Sequence, residues 1–284
     1  MKIIIGQTAG FCFGVKNAVT KAVEQIEQNK EMYCLGELVH NTQVTDTLIK
    51  KGMKFIDNIE EAKAKVIIRS HGVKKEVYEK AEELEIELLD LTCPKVLHIH
   101  KLAEEYSNKG YYIFTIGKKE HPEMIGTVSF CGDDYSVIED ELSINQAIEK
   151  FKESNKNKLL IISQTTFSLE KFGKIVDIVK EKIEPDKIEI KNTICTATKQ
   201  RQEETEKIAK QVETMIIIGG KHSSNSTKLY ELAKKYCQNV LFVETEQDID
   251  INKLGHPNTI GIMAGASTPQ ESIEKVVEKL SLIC

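Results

Sequence analysis

Glu87-Leu88-Leu89-Asp90-Leu91-Thr92-Cys93-Pro94-Lys95-Val96 is the stretch from which the architecture can be read. A short apolar run ends in a polar turn, a cysteine stands at the tip, and a proline opens the next segment. Proline suits the first helical position, where its missing N–H would go unpaired in any case. The stretch therefore reads as strand, turn and helix. Cys93 lies off the carboxyl end of the strand, where open α/β sheets place their chemistry. The pattern recurs twice. Ile3-Ile4-Ile5 runs through Gln7-Thr8-Ala9-Gly10-Phe11 to Cys12, and Ile188-Glu189-Ile190 runs through Asn192-Thr193-Ile194 to Cys195. These cysteines divide the chain into three near-equal parts. The organising expectation is that three thiolates from separate parts converge on one axis.

Working outward, short Ile/Val runs alternate with Lys/Glu-rich amphipathic segments. Strands are expected at 32–35, 66–68, 111–116, 159–162, 215–218 and 260–263. Helices are expected at 15–29, 74–85 and 169–182, the last capped by Ser168. Strands alternating with helices imply an α/β fold of mostly parallel sheets covered by helices.

Composition excludes several classes. With a net charge of −5 and charges of both signs interspersed, the chain lacks the basic face that duplex nucleic acid requires. No run of about 18 apolar residues is present to span a membrane. The sequence opens at Met1 directly on an apolar strand, without a charged leader or apolar signal region, so a cytoplasmic protein is expected. It stops at Cys284. Seven cysteines in a reducing compartment are poor candidates for a disulfide framework, and no Cys-x-x-Cys pair suggests a zinc ribbon. Cys34, Cys131, Cys237 and Cys284 read as ordinary small core or terminal residues.

Three cysteines without a fourth suit either a catalytic zinc or a [4Fe–4S] cluster with one open iron; the all-sulfur set favours the cluster. His40, His71 and His121 each stand at a strand tip, in Val-His-Asn, Ser-His-Gly and His-Pro-Glu. A single such histidine is more often structural. Together with Thr165, Ser223, Ser224, Asn225 and Ser267 beside expected helix starts, they form an anion site, since helix N–H groups favour phosphate. A small phosphorylated or diphosphorylated substrate in a central cleft is expected. Glu123, following His121-Pro122, is the candidate proton donor, with Thr165 or Thr166 relaying or holding its proton. His98 and His100 read as structural, and His256 as a surface residue.

At these residues the chain resembles the 4-hydroxy-3-methylbut-2-enyl diphosphate reductase (LytB/IspH) family. The resemblance is carried by Gly10-Phe11-Cys12-Phe13-Gly14-Val15, Val39-His40-Asn41, Ser70-His71-Gly72-Val73, Thr92-Cys93-Pro94, His121-Pro122-Glu123, Gln164-Thr165-Thr166, Asn192-Thr193-Ile194-Cys195, Ser223-Ser224-Asn225 and Gly265-Ala266-Ser267-Thr268-Pro269. It implies a pseudo-threefold trefoil of three α/β domains around a [4Fe–4S] cluster held by Cys12, Cys93 and Cys195. The expected domains are 13–93, 94–192, and 193–284 with the N-terminal strand 1–12. It also implies substrate contacts from His40, His71, His121, Thr165, Ser223, Ser224, Asn225 and Ser267, with Glu123, Thr165 and His121 serving the chemistry. The implied reaction is reductive dehydroxylation of the allylic diphosphate to isopentenyl and dimethylallyl diphosphates. His222 and His98 stand where the family pattern suggests Asn and Lys.

Rival readings are a quinolinate-synthase-like cluster enzyme, a non-catalytic iron–sulfur sensor or electron carrier, and a three-cysteine zinc hydrolase. No flavin or nicotinamide motif is visible, so electrons are expected from an external ferredoxin or flavodoxin system. A monomer or weak dimer is expected.

Overall fold

The computed structural model describes residues 1–29 and 31–283; Cys284 lies outside the described residues. Strand β1 (Lys2–Ile5) leads to helix α1 (Phe13–Gln28), which begins directly after Cys12. Then come β2 (Met32–Leu35), α2 (Thr42–Lys50), β3 (Met53–Ile56), β4 (Val66–Ile68), α3 (Lys75–Glu83) and β5 (Leu88–Asp90). The next stretch runs α4 (Pro94–Asn108), β6 (Tyr112–Ile116), α5 (Pro122–Val128), β7 (Tyr135–Ile138), α6 (Glu141–Glu153), β8 (Leu159–Ser163), α7 (Leu169–Lys182) and β9 (Ile188–Ile190). The last contains α8 (Thr196–Ala209), β10 (Thr214–Ile218), α9 (Ser224–Tyr236), β11 (Asn239–Val243), α10 (Ile251–Leu254), β12 (Thr259–Ala264) and α11 (Gln270–Ile283).

These strands form three four-stranded sheets, ordered β3-β2-β4-β5, β7-β6-β8-β9 and β11-β10-β12-β1. All described pairings are parallel. The three orders are one order repeated. In each sheet the strand that feeds a cysteine (β5, β9 or β1) lies on one edge. The first strand of the chain thus takes, in the third sheet, the place that β5 and β9 take in theirs.

Inner strands read as continuous apolar runs because parallel sheets are covered on both faces. Leu159, Leu160, Ile161 and Ile162 of β8 are fully buried, as are Met215 to Ile218 of β10. Three strands were not expected from the sequence: β3, β7 and β11. Each is the outer strand opposite the cysteine edge, and each is short or half-exposed, with polar residues such as Lys54 and Ser136 interrupting the apolar run.

The chain gathers into two compact units. One comprises residues 1–17, 39–50 and the chain from Thr196 onward, and holds the sheet β11-β10-β12-β1. Its core packs Ile216, Ile218, Ile260 and Ile262 against Ile273, Val276 and Leu280 of α11. The other comprises 18–38 and 51–195 and holds the two remaining sheets. Around β6 and β8 its core joins Phe114, Ile116 and Ile161 to Ile148 and Phe151 of α6 and Phe172, Ile175 and Val179 of α7. Ser168 caps α7 as expected, its hydroxyl accepting the Lys171 amide at 3.4 Å. No helix of the described residues is long and apolar enough to cross a membrane.

Candidate active site

Each cysteine of the repeated pattern is tied by its own backbone to the neighbouring strand tip. The Cys93 amide donates to the Ser70 carbonyl at 3.0 Å, the Cys195 amide to Thr165 at 2.9 Å, and the Cys12 amide to Ala266 at 3.1 Å. The accepting tips follow β4, β8 and β12, the strands beside each cysteine edge. These tips carry His71, Thr165 and Ser267, so the backbone of each cysteine is bonded to a strand tip that bears a polar side chain.

All three thiols are half-buried. Cys34 and Cys131 are different: both are fully buried, burial pushes their thiols up to about 12, and their sulfurs donate to the Gly36 and Thr127 carbonyls. Cys237 is buried as well, with its thiol raised by burial. Such thiols stay protonated and unreactive.

In the two-sheet unit the residues expected to do acid–base work come together. Glu123 sits in the first turn of α5 and is 1% exposed. Thr165 donates to it twice, from its amide at 2.6 Å to Oε1 and from its hydroxyl at 2.5 Å to Oε2. Burial disfavours the charged carboxylate and pushes Glu123 up to about 7, although both Thr165 bonds act to lower it. His121 caps α5: its Nδ1 accepts the Glu123 amide at 3.1 Å. An accepting Nδ1 places the ring proton on Nε2 of a neutral imidazole. The His121 and His71 rings meet edge to face, with centroids 5.5 Å apart. The Thr166 hydroxyl accepts from the Gln164 side-chain amide at 2.8 Å.

The His71 loop has a specific support. Gly72 adopts φ +73°, and a Cβ there would stand 2.8 Å from Cε1 of His100. His100 is buried and stacked on Phe130, and burial lowers its imidazole to about 4, so it packs as a neutral ring. Its structural reading stands. His256 and His222 are exposed.

In the other unit, Ser223 caps α9, its hydroxyl accepting the Ser226 amide at 3.4 Å. Ser224 and Asn225 form the first turn, and all three are buried. The Asn225 side chain is 3% exposed, yet neither its amide nitrogen nor its oxygen has a hydrogen-bond partner among the described residues. An amide left so costs free energy unless a ligand completes it. Ser267 donates to the His40 carbonyl at 3.0 Å, so the tip after β12 and the segment entering α2 are joined. Asn41 is accounted for structurally, its Oδ1 accepting the Val44 amide at the start of α2.

Sequence reasoning passed over Arg201 and Glu204. Helix α8 has no apolar stripe; Thr198, Arg201, Gln202 and Thr205 are its buried residues alongside Ile208 and Ala209. A helix polar on its packed face signals side chains engaged by other loops. Arg201 donates to the Gly10 carbonyl at 2.6 Å, and Glu204 accepts from Gln7 and Thr8.

Comparison with known proteins follows this geometry. A family model described as LytB protein matches residues 3–281. The 4-hydroxy-3-methylbut-2-enyl diphosphate reductase of Caldanaerobacter subterraneus subsp. tengcongensis is 40% identical over 286 residues, covering 99% of this chain and 96% of that protein. A solved structure of (E)-4-hydroxy-3-methyl-but-2-enyl diphosphate reductase, the terminal enzyme of the non-mevalonate pathway, is similar at 35% identity and a TM-score of 0.71. It covers 99% of this chain and 100% of that one. The E-1-hydroxy-2-methyl-but-2-enyl-4-diphosphate reductase from Plasmodium falciparum is similar at 28% identity with a TM-score of 0.91, covering 99% of this chain and 88% of that one. The likeness extends from end to end in both sequence and fold, and the chain belongs to the LytB family.

Proposed function

We propose that this chain is a 4-hydroxy-3-methylbut-2-enyl diphosphate reductase, converting the allylic diphosphate to isopentenyl and dimethylallyl diphosphates in the last step of the non-mevalonate (MEP) isoprenoid pathway. Two electrons and two protons enter, the C–O bond of the hydroxymethyl group breaks, and water leaves. Family membership favours this activity over the quinolinate-synthase, sensor and zinc-hydrolase readings.

The reading assigns Cys12, Cys93 and Cys195 as ligands of one [4Fe–4S] cluster. The observation that carries it is the backbone contact made alike by all three cysteines to neighbouring polar tips. The donor set fits: three half-buried sulfurs in a chain whose remaining described cysteines are buried and held protonated. When bound, such a cluster supplies electrons and an iron site for the departing oxygen.

The chain's own residues supply the rest. Asn225 offers a donor nitrogen and an acceptor oxygen from a buried position, and Ser223 and Ser224 stand with it at the start of α9, whose dipole favours an anion. With His40, His71, His121, Thr165 and Ser267 they hold the diphosphate. Neutral His121 contributes a donor from Nε2. Glu123, poised near neutrality by burial, holds the proton and passes it through the Thr165 hydroxyl. The three-domain partition at 13–93, 94–192 and 193–284 with 1–12, a cytoplasmic location, a monomer or weak dimer, and a ferredoxin or flavodoxin donor complete the reading.

Its test is metal and sulfide content of anaerobically purified protein, with visible spectra before and after adding the allylic diphosphate. About four irons per chain, with a spectrum altered by substrate and lost in Cys93→Ser, is the expected result. Zinc, or no metal after anaerobic reconstitution, would overturn it.

A further inference from the structure

We propose that Arg201 and Glu204 of α8 are positioning residues for Cys12, clamping the loop that carries it. The proposal rests on reading Cys12 as a cluster ligand, and it concerns side chains to which neither the sequence motifs nor the reaction assigns a role.

The three cysteine loops differ in length. Residues 91–92 separate β5 from Cys93, 191–194 separate β9 from Cys195, and 6–11 separate β1 from Cys12. Ordering each residue costs backbone entropy, so the longest loop needs the most restraint. Its restraint comes from side chains of α8. Glu204 Oε1 accepts the Gln7 amide at 2.8 Å, while Oε2 accepts the Thr8 amide at 2.8 Å and the Thr8 hydroxyl at 2.5 Å. Arg201 Nη2 donates to the Gly10 carbonyl at 2.6 Å, and Nη1 to Ala197 within its own helix at 3.0 Å. Gly10 adopts φ +94°, a conformation that turns the chain toward Cys12 and that only glycine takes without strain.

Arg201 is 4% exposed. A buried guanidinium is costly unless its donors are engaged, and here Nη2 is spent on the Cys12 loop and Nη1 on the helix beneath it. Burial alone would raise Glu204; the Thr8 and Gln7 bonds and the nearby Arg201 charge outweigh it and hold the carboxylate ionised, the form that accepts three donors. Helix α8 also starts at the residue after Cys195. The element launched from one cysteine therefore holds the loop of another.

The test uses the full metal-free chain, prepared anaerobically and treated with iodoacetamide at a single pH. Labelling of Cys12, Cys93 and Cys195 is then followed by peptide mass spectrometry. Glu204→Gln keeps the side-chain shape but cannot accept all three donors; Thr8→Val removes one donor only and serves if the first variant fails to fold. Cys12 labelling is expected to rise about ten-fold relative to Cys93 and Cys195 in Glu204→Gln, the scale of losing a hydrogen bond to a charged group, and by less in Thr8→Val. In reconstituted enzyme kcat falls while KM for the allylic diphosphate is unchanged. Unchanged Cys12 labelling in both variants, or equal rises at all three cysteines, overturns the clamp. A wild-type chain that takes up no iron overturns the cluster reading instead, and the labelling result still decides the clamp.

Discussion

The amide of Cys195 donates to the Thr165 carbonyl at 2.9 Å, so the residue that contacts Glu123 twice is fixed by a cysteine's own backbone. Sulfur position and carboxyl environment are thereby linked through one threonine. The linkage makes the Glu123 carboxyl sensitive to small changes at its neighbours.

Glu123 controls two pH profiles with the same sign. Its folded value of about 7 lies above the ordinary 4.5, so the protonated form favours the folded state. That contribution is fully present below pH 4.5 and is lost as pH rises through about 7. Urea unfolding of the ligand-free protein should therefore show stability falling across this window, by at most about 3 kcal/mol, and Glu123→Gln should flatten that slope. The rate should decline above pH 7, and Glu123→Gln should lower kcat by about 100-fold or more.

Thr165→Val separates holding from relaying. The amide bond to Glu123 persists while the hydroxyl is removed. Both Thr165 bonds act to lower Glu123, so its titration should move further up, and the alkaline limb of kcat should shift to higher pH. A loss of about ten-fold in kcat should accompany the shift. An unmoved alkaline limb would show that this hydroxyl does not touch the proton path.

Asn225 should display a conflict between stability and binding. Its buried amide has no partner among the described residues, so Asn225→Leu removes a desolvated polar group and should stabilise the ligand-free fold by about 1 kcal/mol. The same change should weaken binding of inorganic pyrophosphate by about ten-fold, measured by calorimetry. Loss of stability without loss of binding would make Asn225 a packing residue.

Much of this was legible in the sequence. The inner strands announce themselves because two-sided burial leaves runs such as Leu159-Leu160-Ile161-Ile162 without polar interruption. The cysteine edges were legible for another reason: the turn chemistry of Asp90, which accepts the Thr92 amide at 2.9 Å, and the proline after Cys93 mark a strand end locally. The opposite edges were not, because β3, β7 and β11 face solvent on one side and borrow their pattern from neighbours. Side-chain roles divided the same way. His121, Glu123 and Thr165 sit at tips that short motifs mark. Arg201 and Glu204 lie mid-helix among ordinary charged residues, and their partners are some 190 positions earlier.

The placement of β1 beside β12 sets an order of events during synthesis. Strand β1 has no sheet partner until β12 has been made, and Cys12 lacks its backbone acceptor at Ala266 until then, although α8, with Arg201 and Glu204, is made earlier. Contacts of such long sequence separation form late. A nascent or prematurely terminated chain can therefore present Cys93 and Cys195 in folded surroundings but not Cys12. The proposed three-cysteine set would then be assembled only after β12 has been made and has paired with β1.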